Sequence, residues 1–324
     1  MTVDLLTLGE SMVSLRSGGP LSAGGSLSMH VAGAESNVAV GVARLGHSVA
    51  WAGVVGADPH GEFILRQLRS EGIAVQHRVE PVRSTGVMFL ERRTADISRA
   101  YYYRAGSAGS TLSREDVDQA FSAGARVLHL TGITAALSAD ARRAVEYAAA
   151  RGSAEGLVVS LDVNYRSKLW SRDEARAVLT PLARHATVLI ASDDELGLVA
   201  DGGAAVGRAN PEATELAMAA ELLDAGVREV VVKRGAAGAG VHTAAGRSEA
   251  PAVRVTSIDT VGAGDAFTAG YLSALLDGGD VEARLRRGTL AGAFAVSTAG
   301  DSEGLPSATE LALLDAALDG STHR

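Results

Sequence analysis

The chain of 324 residues contains no cysteine. Disulfide bonds, thiolate nucleophiles and cysteine metal sites are therefore excluded, and the H-E-x-x-H motif of zinc hydrolases does not occur. No apolar run reaches the length of about 18 residues that a membrane-spanning helix needs, and residues 1–6 lack the basic segment of a signal peptide. From these absences we expect a cytoplasmic protein without a membrane partner.

Lysine is also scarce, because only Lys168 and Lys233 are lysines among 30 basic residues. Neither follows a glycine or precedes serine or threonine, so the G-x-x-x-x-G-K-[ST] phosphate loop is excluded. The net charge of −8 argues against nucleic acid as a partner. Hydride transfer is not expected either, because the first apolar run ends at Gly9 without the G-x-G-x-x-G pattern of dinucleotide-binding folds.

Apolar residues, in contrast, make up 47% of the chain and are arranged in short runs that alternate with helical patterns. This alternation favours βαβ units and an α/β fold with a mostly parallel sheet and helices on both sides. The predicted strands include 3–9, 48–56, 127–130, 157–162, 187–191 and 229–233. The predicted helices include 62–71, after a turn at 58–61, and 139–150, 173–183 and 211–225. Four alternating runs, at 12–16, 27–31, 84–91 and 99–104, predict partly exposed strands.

The most informative stretch is 259–267, with the sequence D-T-V-G-A-G-D-A-F. Gly262 and Gly264 permit close backbone approach to a ligand, and the apolar periodicity behind them predicts a helix that begins there. The free N–H groups of a helix N-terminus bind anions, and Asp265 adds a carboxylate beside them. This combination suits phosphoryl transfer to a hydroxyl, although an ordinary turn followed by a helix cap would have the same sequence pattern.

A second glycine turn precedes a predicted helix near residue 38. It offers small and hydrogen-bonding groups at Gly33, Ala34, Glu35, Ser36 and Asn37. Alone, this pattern is equally compatible with a capped surface helix.

Polar residues and glycines also follow three predicted strands. Ligands of parallel sheets bind beyond the carboxyl ends of the strands, so these residues are candidates for a binding groove. They are Asn164 and Arg166 after 157–162, Ser192 and Glu195 after 187–191, and Lys233, Gly235 and Gly238 after 229–233. Each set alone is typical of an ordinary turn, but together with Asp265 they indicate a nucleotide groove.

With its motifs at 32–46 and 259–267, the chain resembles the ribokinase-like (PfkB) carbohydrate kinases from Leu5 to about Pro306. The resemblance implies a single kinase domain over 1–324, with a small β lid formed by strands from about 12–31 and 84–104. It implies that Asp265 is the catalytic base and that Gly262, Ala263 and Gly264 form an anion hole. The segment from Gly33 to Asn37 would bind the acceptor hydroxyls.

The resemblance also implies ATP and Mg²⁺ as cofactors. The nucleotide would lie against Asn164, Arg166, Ser192, Lys233, Gly235, Gly238, Gly262 and Gly264. Glu195 resembles the glutamate of the family's N-x-x-E motif, which acts on magnesium through water, but Ser192 replaces the asparagine of that motif. The nucleotide preference and a requirement for a monovalent cation such as K⁺ near Asp259 stay open. We expect Asp265 to be a weak base, because the helix dipole favours its charged form.

Two arginines favour an acidic acceptor. The guanidinium group of arginine forms paired hydrogen bonds with a carboxylate, and the predicted topology places Arg104 and Arg166 at the same cleft. The segments 102–110 and 162–170 resemble those of the 2-keto-3-deoxygluconate kinases of the family, which implies that Tyr102, Arg104 and Arg166 hold the acid and that Asp301 holds sugar hydroxyls. Met88 stands where a further lid tyrosine is expected, and Ala105 replaces a usual lysine.

The resulting hypothesis is an ATP- and Mg²⁺-dependent kinase that converts 2-keto-3-deoxygluconate to its 6-phosphate. One alternative is a fructokinase-like or other neutral-sugar kinase, in which Arg104 and Arg166 would pair with the protein's own acids. The other is a sugar-binding regulatory homologue without turnover. Open edges of the lid strands favour a homo-oligomer.

Overall fold

The computed structural model of the protein describes residues 2–94, 97–202 and 211–318. Over these residues the strands are β1 (Val3–Leu8), β2 (Met12–Ser17), β3 (Leu27–Ala32), β4 (Val49–Gly56), β5 (Ala74–Glu80), β6 (Val87–Arg92), β7 (Ser98–Tyr103), β8 (Ala125–Thr131), β9 (Val158–Asp162), β10 (Val188–Ser192), β11 (Glu229–Lys233), β12 (Ala239–Thr243) and β13 (Gly246–Ala250). The helices are α1 (Ala34–Arg44), α2 (Pro59–Ser70), α3 (Arg114–Phe121), α4 (Gly132–Ala136), α5 (Ala139–Ala154), α6 (Arg172–Ala183), α7 (Pro211–Asp224), α8 (Ala263–Leu276), α9 (Val281–Val296) and α10 (Ala308–Leu318). None of these helices is long and apolar enough to cross a membrane.

Nine strands form the main sheet, in the order β13-β12-β11-β10-β9-β8-β1-β4-β5. Neighbouring strands from β11 to β5 are parallel, and β12 and β13 add an antiparallel edge. Successive strand residues point to opposite faces, and Leu5 and Val127 lie in one apolar cluster whereas Leu6 and Leu128 lie in another. The first cluster includes residues of α1, α2 and α8, and the second includes residues of α3, α5, α6 and α7. The predicted parallel sheet with helices on both faces is confirmed.

The other four strands form a separate sheet in the order β3-β2-β6-β7, which we call the lid sheet. These strands contain the four alternating runs of the sequence. Met12, Met88 and Leu90 form an apolar cluster on one face of the lid sheet, against which Val261 of the main body packs. His30 Nδ1 on β3 lies 2.8 Å from Glu303 Oε1 of the main body. The lid sheet is therefore joined to the body by both apolar and polar contacts.

Helix α2 begins earlier than predicted. The expected turn at 58–61 is wrong, because Pro59 is the first helical residue and the Asp58 side chain accepts a hydrogen bond from Gly61 N at 2.8 Å. Proline suits the first helical position because the N–H that it lacks would have no partner there. Strand β5 and helix α3 were not predicted. The capping box formed by Ser113 and Asp116 is the sequence signal that marks the start of α3.

Helix α8 begins where the apolar periodicity predicted, and it is buried from Ala266 to Leu276 except for the half-buried Leu275. It packs closely against α1 and α9 because glycines stand at the contacts. A Cβ atom at Gly270 would lie 2.6 Å from the Arg287 carbonyl oxygen, and one at Gly41 would lie 2.6 Å from the Ala269 Cβ. These close contacts fix the position of the α8 N-terminus, which carries Asp265.

Candidate active site

A cavity of about 1170 Å³ lies between the lid sheet and the main body. The lid sheet and the residues directly after it contribute one wall, and the loops and helix starts of the main body contribute the other. The lid wall includes Met12, Met88, Tyr101, Tyr102, Tyr103, Arg104 and Ala105. The body wall includes Gly33, Ala34, Asn37, Arg166, Lys168, Asp194, Gly262, Asp265 and Asp301. The cavity thus brings together candidate residues from both halves of the sequence.

Asn37 joins the two carboxylates of the body wall. Its Nδ2 donates to Asp265 Oδ2 at 2.8 Å and to Asp301 Oδ1 at 2.6 Å. Both N–H groups of this amide are therefore used, and its Oδ1 is a buried atom without a partner among the described residues. Helix α8 begins directly after Gly262, whose φ of +76° is in the left-handed region, and Asp265 lies in the first turn of this helix. The arrangement holds two carboxylates side by side at one end of the cavity.

Both carboxyl groups titrate above their ordinary range. Removal from bulk water raises the pKa of Asp265 to about 6, and the charge of Asp162 acts in the same direction, whereas Asn37, Arg166 and Lys233 oppose it. Burial raises the pKa of Asp301 to about 7, and the charge of Asp265 adds to the shift. The expectation that Asp265 is a weak base is therefore wrong, because desolvation outweighs the helix dipole.

Glu35 and Ser36 do not line the cavity, although their neighbours do. Ala34 and Asn37 are three residues apart and share a face of α1, so the two residues between them point elsewhere. Glu35 Oε1 accepts hydrogen bonds from the Thr131 and Thr134 hydroxyls at 2.6 Å each. Ser36 Oγ donates to Gly33 O at 3.0 Å and accepts from the Ser11 hydroxyl at 3.0 Å. The structure gives these two side chains internal partners instead of contacts with an acceptor.

Arg104 is paired with an acid of the protein. Its Nε donates to Glu10 Oε2 at 2.7 Å, and its Nη2 also contacts that oxygen. The other oxygen of Glu10 accepts from the Ser107 hydroxyl. The Glu10 side chain is fully buried, and the sequence analysis did not identify it as a site residue. Its position directly after β1, at a strand end, is the signal that could have found it.

Arg166 and Lys168 present charge to the cavity differently. Arg166 Nη1 donates only to the neighbouring Tyr165 O, at 3.1 Å, and within the described part of the chain no carboxylate pairs with it. Lys168 Nζ donates to Ala100 O of the lid sheet at 2.8 Å and lies 5.3 Å from the centroid of the Tyr102 ring. Arg104 Cζ lies 5.9 Å from the same ring centroid. Tyr102 thus has two cationic neighbours.

Lys233 lies behind the first turn of α8. Its Nζ donates to Asp162 Oδ2 at 2.7 Å, and the Thr268 hydroxyl donates to the same oxygen at 3.0 Å. Burial would lower the pKa of Lys233, but the charges of Asp162, Glu195 and Asp265 prevail and raise it. A Cβ atom at Gly264 would lie 3.6 Å from Lys233 Nζ, so the ammonium group is close to the proposed anion hole.

Asn164 lies beside Asp265, at the end of the cavity that holds the two carboxylates. It is the only residue other than glycine with a positive φ, +40°, in the part of the chain that the structure describes. Its Nδ2 lies 3.4 Å from Asp265 Oδ1. A strained backbone at a site is typical of functional residues, and here it directs an amide toward the candidate base.

The remaining candidates for nucleotide and metal binding lie outside the cavity lining. The Glu195 oxygens accept from Tyr165 N at 2.6 Å and Ser192 N at 2.9 Å. Each of these oxygens keeps a free lone pair, which fits a hydrogen bond from a metal-bound water. Gly235 is exposed, whereas a Cβ at Gly238 would collide with the backbone beside β13. No group of three or more His, Asp or Glu side chains suited to a metal occurs among the described residues.

Several known proteins are similar to this chain in sequence and fold. The model of the pfkB family of carbohydrate kinases matches residues 4–308. The 2-dehydro-3-deoxygluconokinase of Bacillus subtilis (strain 168) is 34% identical over 324 residues, covering 96% of this chain and 95% of that protein. The 2-dehydro-3-deoxygluconokinase of Thermoproteus tenax is 35% identical over 315 residues, covering 95% and 93%. The solved 2-dehydro-3-deoxygluconokinase of Thermotoga maritima superimposes with a TM-score of 0.84 at 26% identity, covering 97% of this chain and 98% of that one.

Proposed function

The chain belongs to the pfkB family of carbohydrate kinases, as its two glycine motifs predicted, and we propose that it phosphorylates a sugar acid. It is an enzyme of the phosphotransferase class with an alcohol group as acceptor. The acceptor we propose is 2-keto-3-deoxygluconate, also named 2-dehydro-3-deoxygluconate, and the product is its 6-phosphate. One observation carries the proposal: the cavity has a carboxylate at one end and, elsewhere on its wall, two cations, Arg166 and Lys168, that pair with no carboxylate among the described residues.

Asp265 is the proposed base. With a pKa of about 6 it is mostly ionised at pH 7 and can accept the proton of the acceptor hydroxyl. The hydroxyl oxygen forms a bond to the γ-phosphorus of ATP, the bond from that phosphorus to the ADP oxygen breaks, and the proton passes to Asp265 Oδ. Asp301 and Asn37 orient the hydroxyls of the acceptor beside the base. The charge that develops on the phosphoryl oxygens lies near the amides of Gly262, Ala263 and Gly264.

The nucleotide and metal contacts are part of the same proposal. Lys233 stands behind the anion hole, where its charge favours transfer of a negatively charged group. Asn164, Ser192, Gly235 and Gly238 are proposed to border the ATP groove. Glu195 would hold Mg²⁺ through water, and the bound ion neutralises charge on the phosphates. A monovalent cation such as K⁺ near Asp259, where the Asp259 carboxylate accepts from Val261 N at 3.1 Å, is a further proposal.

A homo-oligomer that forms through the lid sheet is also proposed. The outer strands β3 and β7 expose Met29 and Tyr103, which are 42% and 68% accessible. Open edges beside exposed apolar side chains favour pairing with a second copy. Size-exclusion chromatography with light scattering gives the mass in solution, and a monomer at micromolar concentration would contradict the proposal. The cytoplasmic location stays a prediction from the sequence.

The neutral-sugar alternative is supported by one specific contact. Glu10 neutralises Arg104, so that arginine is not free to form a two-pronged contact with an acceptor carboxylate. If Arg166 and Lys168 bind phosphate groups instead of the acceptor, a ketose such as fructose would fit the same cavity. This alternative keeps Asp265 as the base and changes only the acceptor.

The experiment that tests the proposal is a scan of acceptors with the purified protein, ATP and Mg²⁺. The acceptors are 2-keto-3-deoxygluconate, its galactose-derived epimer, gluconate, fructose and ribose, and the readout is ADP release. We expect kcat/KM for a keto-deoxy acid to exceed that for fructose by at least about 100-fold, the equivalent of about 2.7 kcal/mol. A higher value for fructose would support the neutral-sugar alternative, and binding without turnover would support the regulatory one.

A further inference from the structure

Lys168 lies in the loop after β9 and lines the cavity from the body side. Its ammonium group reaches across to the lid sheet, where it donates to Ala100 O at 2.8 Å. It also lies 5.3 Å from the centroid of the Tyr102 ring, within the range of a cation–π contact. The residue therefore connects the two walls at the lid side of the cavity.

The charges that line the cavity single out this lysine. Arg104 is compensated by the buried Glu10, and Arg166 is close enough to Asp265 to lower the pKa of that carboxyl. Lys168 pairs with no carboxylate in the part of the chain that the structure describes. An ammonium group has three N–H donors, and the carbonyl of Ala100 takes one. Two donors and a full positive charge remain for a ligand.

The positions of Asp265 and of the Lys168 contacts on opposite walls of the cavity determine which group of a ligand lies beside Lys168. The reacting hydroxyl must lie at Asp265, on the body wall. Ala100 and Tyr102 lie on β7, in the opposite wall, and Lys168 contacts both. An acceptor held by its hydroxyl at Asp265 therefore extends its other end toward β7. For a sugar acid that reacts at its terminal hydroxyl, that other end is the carboxylate.

We propose that Lys168 is a specificity-determining residue that binds the acceptor carboxylate beside Tyr102. Its bond to Ala100 O holds β7 in place over the bound acid, so recognition and closure of the lid wall depend on one side chain. The proposal rests on the proposed function, since it requires an acidic acceptor. It makes Lys168, in addition to Arg166, responsible for the preference for an acid over a neutral sugar.

The test compares Lys168→Met, which keeps an aliphatic chain without the charge, with Lys168→Arg, which keeps the charge. The measured quantities are KM for 2-keto-3-deoxygluconate, the inhibition constant of its methyl ester and KM for ATP. The ester has the same carbon chain but no negative charge. We expect Lys168→Met to raise KM for the acid about tenfold and to change the other two constants less than about twofold. Lys168→Arg should stay within about threefold of the wild type.

The matched control is Arg99→Met. Arg99 is an exposed cation on the same strand, β7, and does not line the cavity. Equal effects of Lys168→Met and Arg99→Met would overturn the inference, and so would equal losses for the acid and the ester, which would indicate that Lys168 only positions the lid. If the wild type accepts neutral sugars alone, the proposed function fails together with the inference. If it accepts the acid and Lys168→Met behaves as wild type, the inference alone fails.

Discussion

The two walls of the cavity hold their side chains in different ways. On the body wall, Asn37 and Asp301 are buried, and a shared amide fixes both carboxylates in place. On the lid wall, Tyr102 and Tyr103 are 40% and 68% accessible. The wall that carries the proposed base is therefore fixed before any ligand binds. The wall that contacts the rest of the acceptor has room to change without disturbing the base.

The first prediction tests the body wall at its base. Asp265→Asn should lower kcat about 1000-fold, because an amide cannot accept the hydroxyl proton while it keeps the shape of the carboxyl. Steady-state kinetics with saturating ATP gives kcat, and calorimetry gives the dissociation constant of the acceptor, which should change little. Asp224→Asn removes an exposed carboxylate at the end of α7, outside the cavity, and serves as the control. A rate near that of the wild type would exclude Asp265 as the base.

The second prediction concerns Glu10 and Arg104, an ion pair beside the lid wall whose two side chains are both largely buried. Glu10→Ala should lower the free energy of unfolding by about 3–5 kcal/mol, because it leaves a buried guanidinium without a counter-ion. Urea unfolding measures this loss. The double variant Glu10→Ala with Arg104→Met should recover part of it, since no unpaired charge remains. A loss below about 1 kcal/mol would mean that Arg104 reaches water when Glu10 is removed.

The third prediction separates acid recognition from catalysis. Arg166→Ala should raise KM for the sugar acid about tenfold, because an unpaired guanidinium on the cavity wall is lost. The inhibition constant of a neutral sugar should hardly change. Initial rates at varied acceptor concentration provide both values. Equal losses for the acid and the neutral sugar would argue against a carboxylate contact and would leave Arg166 as a nucleotide contact only.

The fourth prediction is the smallest and concerns the coupling of the two carboxylates. Activity of the wild type should fall as the pH falls through about 6, because Asp265 must be ionised to accept a proton. Asp301 has the higher pKa, about 7, and is therefore mostly protonated where Asp265 titrates, so Asp301→Asn should leave the acid limb of kcat/KM in place to within about half a unit. A profile measured from pH 5 to 9 shows the limb. A shift of about one full unit to lower pH would show that Asp301 is ionised near pH 6 and would contradict this order of the two pKa values.

The same pair makes a stability contribution with a definite sign. The pKa of Asp301 is raised from 3.8 to about 7, so the folded state binds a proton more tightly than the unfolded chain. Its contribution to stability is fully present below about pH 3.8 and is lost as the pH rises through 7. Between pH 5 and 8, unfolding of Asp301→Asn should therefore depend less on pH than unfolding of the wild type.

The body wall could be predicted from the sequence because its information is local. Gly262, Gly264 and Asp265 are neighbours in one turn, and an apolar helix follows directly, so a contiguous pattern marks the proposed anion hole and base. Asn37 was predicted as a candidate from a second glycine turn of the same kind. The direction of the Asp265 pKa could not be predicted, because it depends on burial by distant segments.

The contacts of the lid wall could not be predicted for the opposite reason. Arg104 and Glu10 are 94 residues apart, and no local pattern marks them as partners. Lys168 donates to a backbone carbonyl 68 residues away, and any residue type can provide that acceptor. In the fold, the half-exposed edge strand β5 was missed because it carries few consecutive apolar residues. Sequence patterns therefore identified the glycine turns before α1 and α8 but not the long-range pairs.

The chain has only two lysine side chains, and their surroundings differ sharply. Lys233 is largely buried and paired with Asp162, whereas Lys168 is exposed at the cavity. An amine-directed reagent such as an activated ester should therefore modify Lys168 and spare Lys233 among the lysine side chains. A fluorophore or cross-linker introduced in this way would stand at the cavity without any engineered cysteine. The scarcity of lysine thus makes the natural protein ready for labelling at its own binding site.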